Sequence, residues 1–247
     1  MRSHLAEKNY HLENIEKIFT EIGGQFQTAP AEISKKLKSV RAFIFDWDGV
    51  FNNGEKVEGG SSVFSEVDSM GTNLLRFSHW LQYKQLPFTA VISGERNAAA
   101  FWFSNREHFS TNYYKVANKI EALDHFCKLH SLKHEEIAYV WDDVLDLSIA
   151  QVAGVSIAVG RKAAALFMKH VKENKLADYI TGSHSGNFAV REACELIMGL
   201  RGVYDETISK RSAYGHIYRE YADARNKVVT EFFTKGEKHI IAQDPKS

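Results

Sequence analysis

From residue 40 onward, short continuous apolar runs alternate with apolar stripes at three- and four-residue spacing. The runs predict buried strands, and they lie at 40–45, 88–93, 109–114, 137–141, 155–159 and 177–180. The stripes predict helices at 74–81, 98–107, 116–130, 144–153 and 188–200. Such alternation is typical of the α/β class with right-handed crossovers, which predicts a Rossmann-like doubly wound parallel sheet.

Two segments outside this region show only helical patterns. Residues 1–39 carry one apolar stripe that Gly23-Gly24 ends, followed by a second short helix after Pro30. Residues 201–247 predict an amphipathic helical tail, whose apolar face holds Ile217, Tyr218, Tyr221, Val228, Phe232 and Phe233. Each extension is expected to pack on the core at 40–200 or to form an oligomer interface.

Turn signals fall between the first predicted strand and the first core helix. Asn52-Asn53-Gly54 and Gly59-Gly60 are typical of tight hairpin turns. The segment 50–67 is therefore predicted to form a small β-hairpin flap.

Composition narrows the class of protein. The chain has 247 residues with 44% hydrophobic residues and only 3 prolines, so it can bury a sizeable core. Its formal net charge is zero, so no electrostatic footprint for nucleic acid is present. No apolar run is long enough for a membrane span, and the polar N-terminus lacks a signal-peptide pattern, so we expect a cytoplasmic protein. Cys127 and Cys194 fall on predicted helices and are interpreted as buried hydrophobes.

The strongest chemical signal is the pair Asp46 and Asp48, which follows the strand at 40–45 directly. Ligands of open α/β sheets bind at the carboxyl ends of the strands. Two carboxylates in a tight turn at Gly49 can hold a hard cation and leave one oxygen as a nucleophile. An acidic turn without chemistry is the alternative for such a short motif.

Further polar residues follow the other strands. Ser93-Gly94 follows the second strand, Asp142, Asp143 and Asp146 follow the fourth, and Lys119 begins a helix between them. Each has an ordinary explanation as a turn, a helix cap or a surface lysine. Together they supply a phosphoryl-transfer site, with Asp46 as nucleophile or metal ligand and Asp142 as a second metal ligand. Ser93 would donate to a phosphate oxygen, and Lys119 would neutralise negative charge.

The order DxDGV, S-G, Lys, DDxxD over about residues 40–200 resembles the haloacid dehalogenase (HAD) superfamily of phosphatases. The intervals between Asp48, Ser93 and Lys119 are too short for an inserted cap domain, so the chain resembles the capless branch. Within it, DWDGVFNNG, ISGE, ANKIEAL, IAYVWDDVLD and AVREACELI are similar to the 3-deoxy-D-manno-octulosonate 8-phosphate (Kdo 8-phosphate) phosphatases. Related capless domains are also joined to acylneuraminate cytidylyltransferases of sialic-acid metabolism.

The resemblance implies a mechanism and a cofactor. Asp46 would form an aspartyl-phosphate, and Asp48 would act as general acid and then base. Mg²⁺ would be held by Asp46, the Asp48 carbonyl and Asp142, with Asp143 and Asp146 orienting the ligands around it. Gly94 would offer its amide to the phosphate. The resemblance further implies a homotetramer in which the flap and a neighbouring subunit cover each site.

The chain departs from this family where cations are expected, at Val67, Glu95 and Asn187. Lys56 and Arg96 are candidate substitutes, with a solvated surface role as the alternative for each. His184, in the loop after the last strand, is a candidate substrate contact, and an exposed loop histidine is the alternative. We therefore expect a Mg²⁺-dependent phosphatase of a small phosphorylated sugar or sugar acid. A binding or regulatory protein that has lost turnover is the principal alternative, and a phosphoryl mutase is a weaker one.

Overall fold

A computed structural model describes residues 2–56 and 62–245, with the helical backbone alone for residues 2–10. The longer helices are α1 (Arg2–Glu21), α2 (Pro30–Lys36), α3 (Glu66–Tyr83), α4 (Ala98–Glu107), α5 (Lys119–His130), α6 (Leu147–Ala150), α7 (Ala165–Glu173), α8 (Ala189–Arg201), α9 (Tyr204–Ala213) and α10 (His216–Arg225). The strands are β1 (Gln25–Phe26), β2 (Ala42–Phe45), β3 (Phe88–Ile92), β4 (Thr111–Tyr114), β5 (Ile137–Trp141), β6 (Val155–Ala158), β7 (Tyr179–Ile180), β8 (Glu231–Lys235) and β9 (Ile240–Ala242). No helix among these residues is long and apolar enough to cross a lipid bilayer.

All nine strands form one sheet in the order β1-β7-β6-β5-β2-β3-β4-β8-β9. The strands from β7 to β8 are parallel to one another, and β1 and β9 are added antiparallel at the two edges. The central strand β2 pairs with both β3 and β5, so three carboxyl ends lie side by side. The predicted doubly wound parallel core is confirmed.

Alternate side chains of β2 enter two cores on opposite faces of the sheet. Phe43 and Phe45 belong to the larger core, which includes residues of α1, α2, α3 and α8. Ala42 and Ile44 belong to the second core, which α5, α6 and α7 cover. Burial on both faces explains why the strand is apolar at every position.

The N-terminal extension packs on the core, which agrees with the first of the two expectations for it. Leu12 and Phe19 of α1 are buried in the larger core. Gly199 of α8 lies so close to α1 that an added Cβ would be 3.0 Å from Cδ1 of Ile15. Between α1 and α2, β1 pairs with β7 and so lengthens the sheet.

The prediction of one amphipathic helix through Phe233 is wrong. Helix α10 ends at Arg225, and Phe232 and Phe233 lie in β8, which pairs in parallel with β4. Phe232 contacts the Phe101 ring, and Phe233 stacks on Tyr113 at 5.2 Å between ring centroids. The two rings lie on opposite faces of the sheet. Strand β8 also provides hydrogen-bond partners for the backbone groups at the edge of β4, so this segment forms a strand despite its helical spacing of apolar residues.

The helical part of the tail also packs on its own domain. Tyr218 and Tyr221 of α10 are buried against Phe77 and Trp80 of α3. The Tyr221 hydroxyl donates to the Asn73 carbonyl at 3.2 Å. This contact gives the aromatic face of the tail an intramolecular partner.

The flap predicted at 50–67 lies partly outside the described residues. The described parts on either side, 53–56 and 62–65, have no strand structure. The helix predicted at 74–81 begins earlier, at Glu66, where Ser65 caps it by accepting a hydrogen bond from the Val67 amide.

A pH dependence of stability follows from His79 in α3. Its side chain is 4% exposed, and burial, aided by Arg201 and Arg41, lowers its pKa from 6.5 to about 3. Because the folded state favours neutral His79, the stabilisation is complete above pH 6.5 and is lost as pH falls from 6.5 toward 3. At pH 5 the loss should be about 2 kcal/mol of the free energy of unfolding.

Denaturant unfolding of the wild type and two variants at pH 7.5 and pH 5 checks this. Between these two pH values His79→Asn should lose about 2 kcal/mol less unfolding free energy than the wild type, whereas His239→Gln, at an exposed site, should lose as much as the wild type. An equal loss in all three proteins would contradict the prediction.

Candidate active site

The predicted strand-end residues meet at one edge of the sheet. Asp46 continues β2, and its amide donates to the Val140 carbonyl of β5 at 2.9 Å. Ser93 continues β3, and its amide donates to the Tyr113 carbonyl of β4 at 2.9 Å. These residues line one pocket of about 410 Å³, which we call the carboxylate pocket, together with Asp48, Gly94, Lys119, Asp142, Asp143 and Asp146.

Lys119 lies at the centre of the carboxylate pocket. It is 3% exposed, and its ammonium donates to Oδ1 of Asp46 at 2.6 Å and to Oδ1 of Asp146 at 2.5 Å. Burial opposes its charge, but the carboxylates of Asp46 and Asp146 outweigh that effect and raise its pKa. Lys119 is therefore charged at neutral pH and fixes the Asp46 carboxylate.

Asp146 organises this edge of the sheet. Its Oδ1 also accepts a hydrogen bond from the Tyr139 hydroxyl, and its Oδ2 accepts one from the Asp143 amide at 3.2 Å. The side chain is buried and lies between Lys119 and the loop after β5. Its contacts fit the supporting role predicted for it.

Asp46, Asp142 and Asp146 form a compact oxygen cluster. One carboxylate oxygen from each lies within 4.8 Å of the others, and all three residues are buried. Burial, with repulsion from Asp146, raises the pKa of Asp46 well above its usual value, although Lys119 partly opposes this. Burial also raises the pKa of Asp142 to about 6 against the influence of Arg161. The cluster has three carboxylates against the two cations that contact it, Lys119 and Arg161, and its hard oxygen donors fit a divalent metal ion.

Asp48 faces the two ends of the flap. Its Oδ1 accepts a hydrogen bond from the Ser62 hydroxyl at 2.6 Å, and Lys56 lies 3.3 Å from its Oδ2. Of the two candidate substitute cations and the candidate substrate contact His184, Lys56 alone lines the carboxylate pocket. Arg96 instead donates to the Pro245 carbonyl at 2.6 Å, and His184 contacts the Gly160 carbonyl at 2.7 Å.

Gly49 forms the tight turn that allows Asp46 and Asp48 to face the carboxylate pocket. Its φ is +88°, and an added Cβ would be 2.0 Å from Oδ2 of Asp142. A side chain at this position would therefore be strained and would displace the neighbouring carboxylate.

Ser93 and Gly94 form a short open turn at the wall of the carboxylate pocket. The Ser93 hydroxyl oxygen accepts a hydrogen bond from the Glu95 amide at 3.2 Å, which leaves its proton for another acceptor. An added Cβ on Gly94 would meet nothing within 4 Å, so the backbone there is open to a ligand.

Arg161 is a site residue that the sequence reasoning missed. It follows β6, its guanidinium donates to Oδ2 of Asp142, and it lies 3.6 Å from Oδ2 of Asp143. The available signal was its position just beyond the carboxyl end of a strand in the same sheet, where Asp46, Ser93 and Asp142 were also found. Asp143 is otherwise exposed and accepts a hydrogen bond from the Val144 amide at 2.7 Å.

Comparisons with known proteins agree with this architecture. No family model matches the chain. The Kdo 8-phosphate phosphatase KdsC of Escherichia coli strain K12 is 27% identical over 184 residues, which cover 71% of this chain and 88% of that protein. KdsC of Salmonella typhi is 26% identical over 182 residues, which cover 70% and 87% of the two chains.

A solved structure gives the same result in three dimensions. It is the Kdo 8-phosphate phosphatase of Moraxella catarrhalis, in complex with magnesium ion, phosphate ion and KDO. The TM-score is 0.60 at 28% identity, and the match covers 72% of this chain and 97% of that one. Over about 70% of its length the chain is similar to the Kdo 8-phosphate phosphatases of the haloacid dehalogenase superfamily, and these similarities support a phosphoric monoester hydrolase.

Proposed function

We propose that the protein is a Mg²⁺-dependent phosphatase that hydrolyses a small phosphorylated sugar or sugar acid of the Kdo 8-phosphate type through an aspartyl-phosphate. The observation that carries the proposal is the buried Lys119 ammonium, which contacts Asp46 and Asp146 at the edge of the sheet where Ser93 and Asp142 also lie. The magnesium, phosphate and KDO in the Moraxella catarrhalis protein support the choice of metal and substrate.

Asp46 would carry the phosphoryl group. Lys119 holds its Oδ1, and the other oxygen would attack phosphorus while the bond from phosphorus to the sugar oxygen breaks. Asp48 would give its proton to the leaving alkoxide and then take one from the water that hydrolyses the aspartyl-phosphate. The Ser93 hydroxyl and the Gly94 amide would donate to the phosphoryl oxygens.

The metal would be held by the carboxylates of Asp46 and Asp142 and by the Asp48 main-chain carbonyl. When bound, it would supply positive charge to the phosphoryl oxygens and would oppose the effects of burial and of Asp146 that raise the pKa of Asp46. Asp143 and Asp146 would orient this group through the hydrogen bonds of the loop after β5.

An oligomer is part of the proposal. A capless site is open to solvent, and the surface beside it carries exposed apolar side chains: Val63 is 73% exposed and Trp102 is 59% exposed. A neighbouring subunit, in a homotetramer as the family resemblance implies, would cover both the site and this patch. We propose that the assembly acts in the cytoplasm.

A catalytically inactive binding protein is a second candidate, favoured by one contact. The Arg161 guanidinium donates to Oδ2 of Asp142, one of the carboxylates that would hold a metal. If this ion pair persists in the presence of Mg²⁺, the scaffold would bind a phosphorylated ligand without turning it over.

The first experiment measures phosphate release from Kdo 8-phosphate and a panel of other sugar phosphates, with Mg²⁺ and with chelator. We expect Mg²⁺-dependent release that Asp46→Asn reduces by about 10³-fold or more. The matched Asp205→Asn variant removes an exposed carboxylate of α9, outside the carboxylate pocket, and should retain most activity. Substantial turnover by Asp46→Asn would exclude it as nucleophile, and no release from any substrate by the wild type would favour the inactive binding protein.

Metal binding is tested separately by thermal unfolding. Excess Mg²⁺ should raise the melting temperature, because a ligand at 100 times its dissociation constant contributes about 2.7 kcal/mol to the folded state. For a chain of this size, that corresponds to a rise of roughly 5–10 °C. Asp142→Asn should abolish the rise, whereas Asp205→Asn, outside the carboxylate pocket, should keep it. An equal rise in both variants would remove Asp142 from the metal site.

A further inference from the structure

A second concavity, which we call the cationic pocket, lies beside the carboxylate pocket. Its volume is about 670 Å³, which is within the range of small-molecule sites. Its walls come from the end of α1 and the following turn, the loop after β6, helix α7 and the loop after β7. The lining includes Ile22, Gly23, Arg161, Lys169, Lys172 and His184.

The charge of the cationic pocket is strongly unbalanced. Arg161, Lys162, Lys169 and Lys172 line it, against one acid, Glu173. Glu173 lies 3.6 Å from Lys169 and offsets that charge only. Lys162 and Lys172 have no ion-pair partner among the described residues. Met168 and Ile180 also line the pocket and form its apolar base, where their side chains are 8% and 2% exposed.

The N-terminal extension forms one closely packed wall of the cationic pocket. An added Cβ on Gly24 would be 1.7 Å from the Tyr179 hydroxyl oxygen, and one on Gly182 would be 2.3 Å from the Ile22 carbonyl oxygen. The turn after α1 therefore packs against the loop after β7 at backbone distance. On the adjacent side, Nδ1 of His184 contacts the Gly160 carbonyl at 2.7 Å and fixes that loop to the one after β6.

Arg161 is common to both pockets. It lines the cationic pocket while its guanidinium contacts the Asp142 and Asp143 carboxylates on the other side. The ion pair of Arg161 with Asp142 is thus part of the partition between the two pockets. An anion in the cationic pocket would compete with Asp142 for this guanidinium.

We propose that the cationic pocket is an effector site for a small anionic ligand with an apolar portion, and that Arg161 couples this site to the metal site. The positive charges select the anion, and the base formed by Met168 and Ile180 receives the apolar portion. A ligand that pairs with Arg161 releases Asp142 for the metal, and a metal that takes Asp142 releases Arg161 for the ligand. Each therefore strengthens binding of the other by the same factor. The coupling rests on the proposed metal site, whereas the anion site does not.

The anion site is tested with 8-anilinonaphthalene-1-sulfonate, a fluorescent probe that has one sulfonate and an apolar ring system. We expect saturable binding of one probe per chain, which Lys172→Glu weakens about tenfold or more and which added salt also weakens. Lys175→Glu is the matched control, because it reverses the charge of an exposed lysine just beyond α7 that does not line the pocket. Circular dichroism and the melting temperature establish that both variants fold. Equal probe affinity in the two variants would overturn the anion site.

The coupling is tested by repeating the probe titration with and without Mg²⁺. We expect Mg²⁺ to tighten probe binding roughly fivefold or more, in the wild type and in Lys175→Glu. Arg161→Ala should remove this effect. An unchanged probe affinity, in a protein whose melting temperature Mg²⁺ does raise, would overturn the coupling. If Mg²⁺ raises neither the probe affinity nor the melting temperature, the proposed metal site fails and the coupling fails with it. The anion site is then still judged by the effect of Lys172→Glu on probe affinity.

Discussion

The ion pairs of Lys119 are the interaction on which the site depends. A buried carboxylate is costly unless a partner neutralises it, and here three carboxylates lie within 4.8 Å of one another. Lys119 contacts two of them and links the start of α5 to the ends of β2 and β5. Removal of one partner from a buried ion pair typically costs about 3–5 kcal/mol. The same ammonium therefore serves folding and chemistry, because it fixes the carboxylate that would attack phosphorus.

The order of the sheet makes this arrangement possible. Strand β2 is central and pairs with β3 and β5, so Asp46, Ser93 and Asp142 continue three adjacent parallel strands at one edge. Helices on both faces bury these strands, and the polar residues begin only where the apolar runs end. Gly49 completes the arrangement because a Cβ there would collide with the Asp142 carboxylate. The fold thus fixes the positions of the side chains, while two local turns set their directions.

The features that were predictable from sequence are those that adjacent residues determine. Buried strands and the polar residues directly after them are local patterns, so the core and the strand-end acids were predicted. Arg161 was missed because its choice of Asp142 as partner is a tertiary contact with no periodic signal. Phe232 and Phe233 were assigned to a helix because nothing near them in sequence indicates the free edge of β4 that they cover. In both cases the deciding partner is far away along the chain.

The charges in the carboxylate pocket bear on how a phosphate ester could enter it. Asp46, Asp142 and Asp146 carry three negative charges when ionised, and Lys119 and Arg161 carry two positive charges, so one negative charge remains. Asp48, Glu95 and Asp143 also line the pocket, against one further cation, Lys56, so the lining as a whole is acidic and would repel a phosphate dianion. The pKa values of Asp46 and Asp142 are raised chiefly by burial, and the neighbouring carboxylates add to this preference for protonation. Protonation of Asp46 would remove the nucleophile. A bound divalent cation would offset two of these negative charges, which would favour the ionised form of Asp46 and weaken the repulsion of a phosphate. The electrostatics of the protein residues therefore fit a site that binds a divalent metal ion.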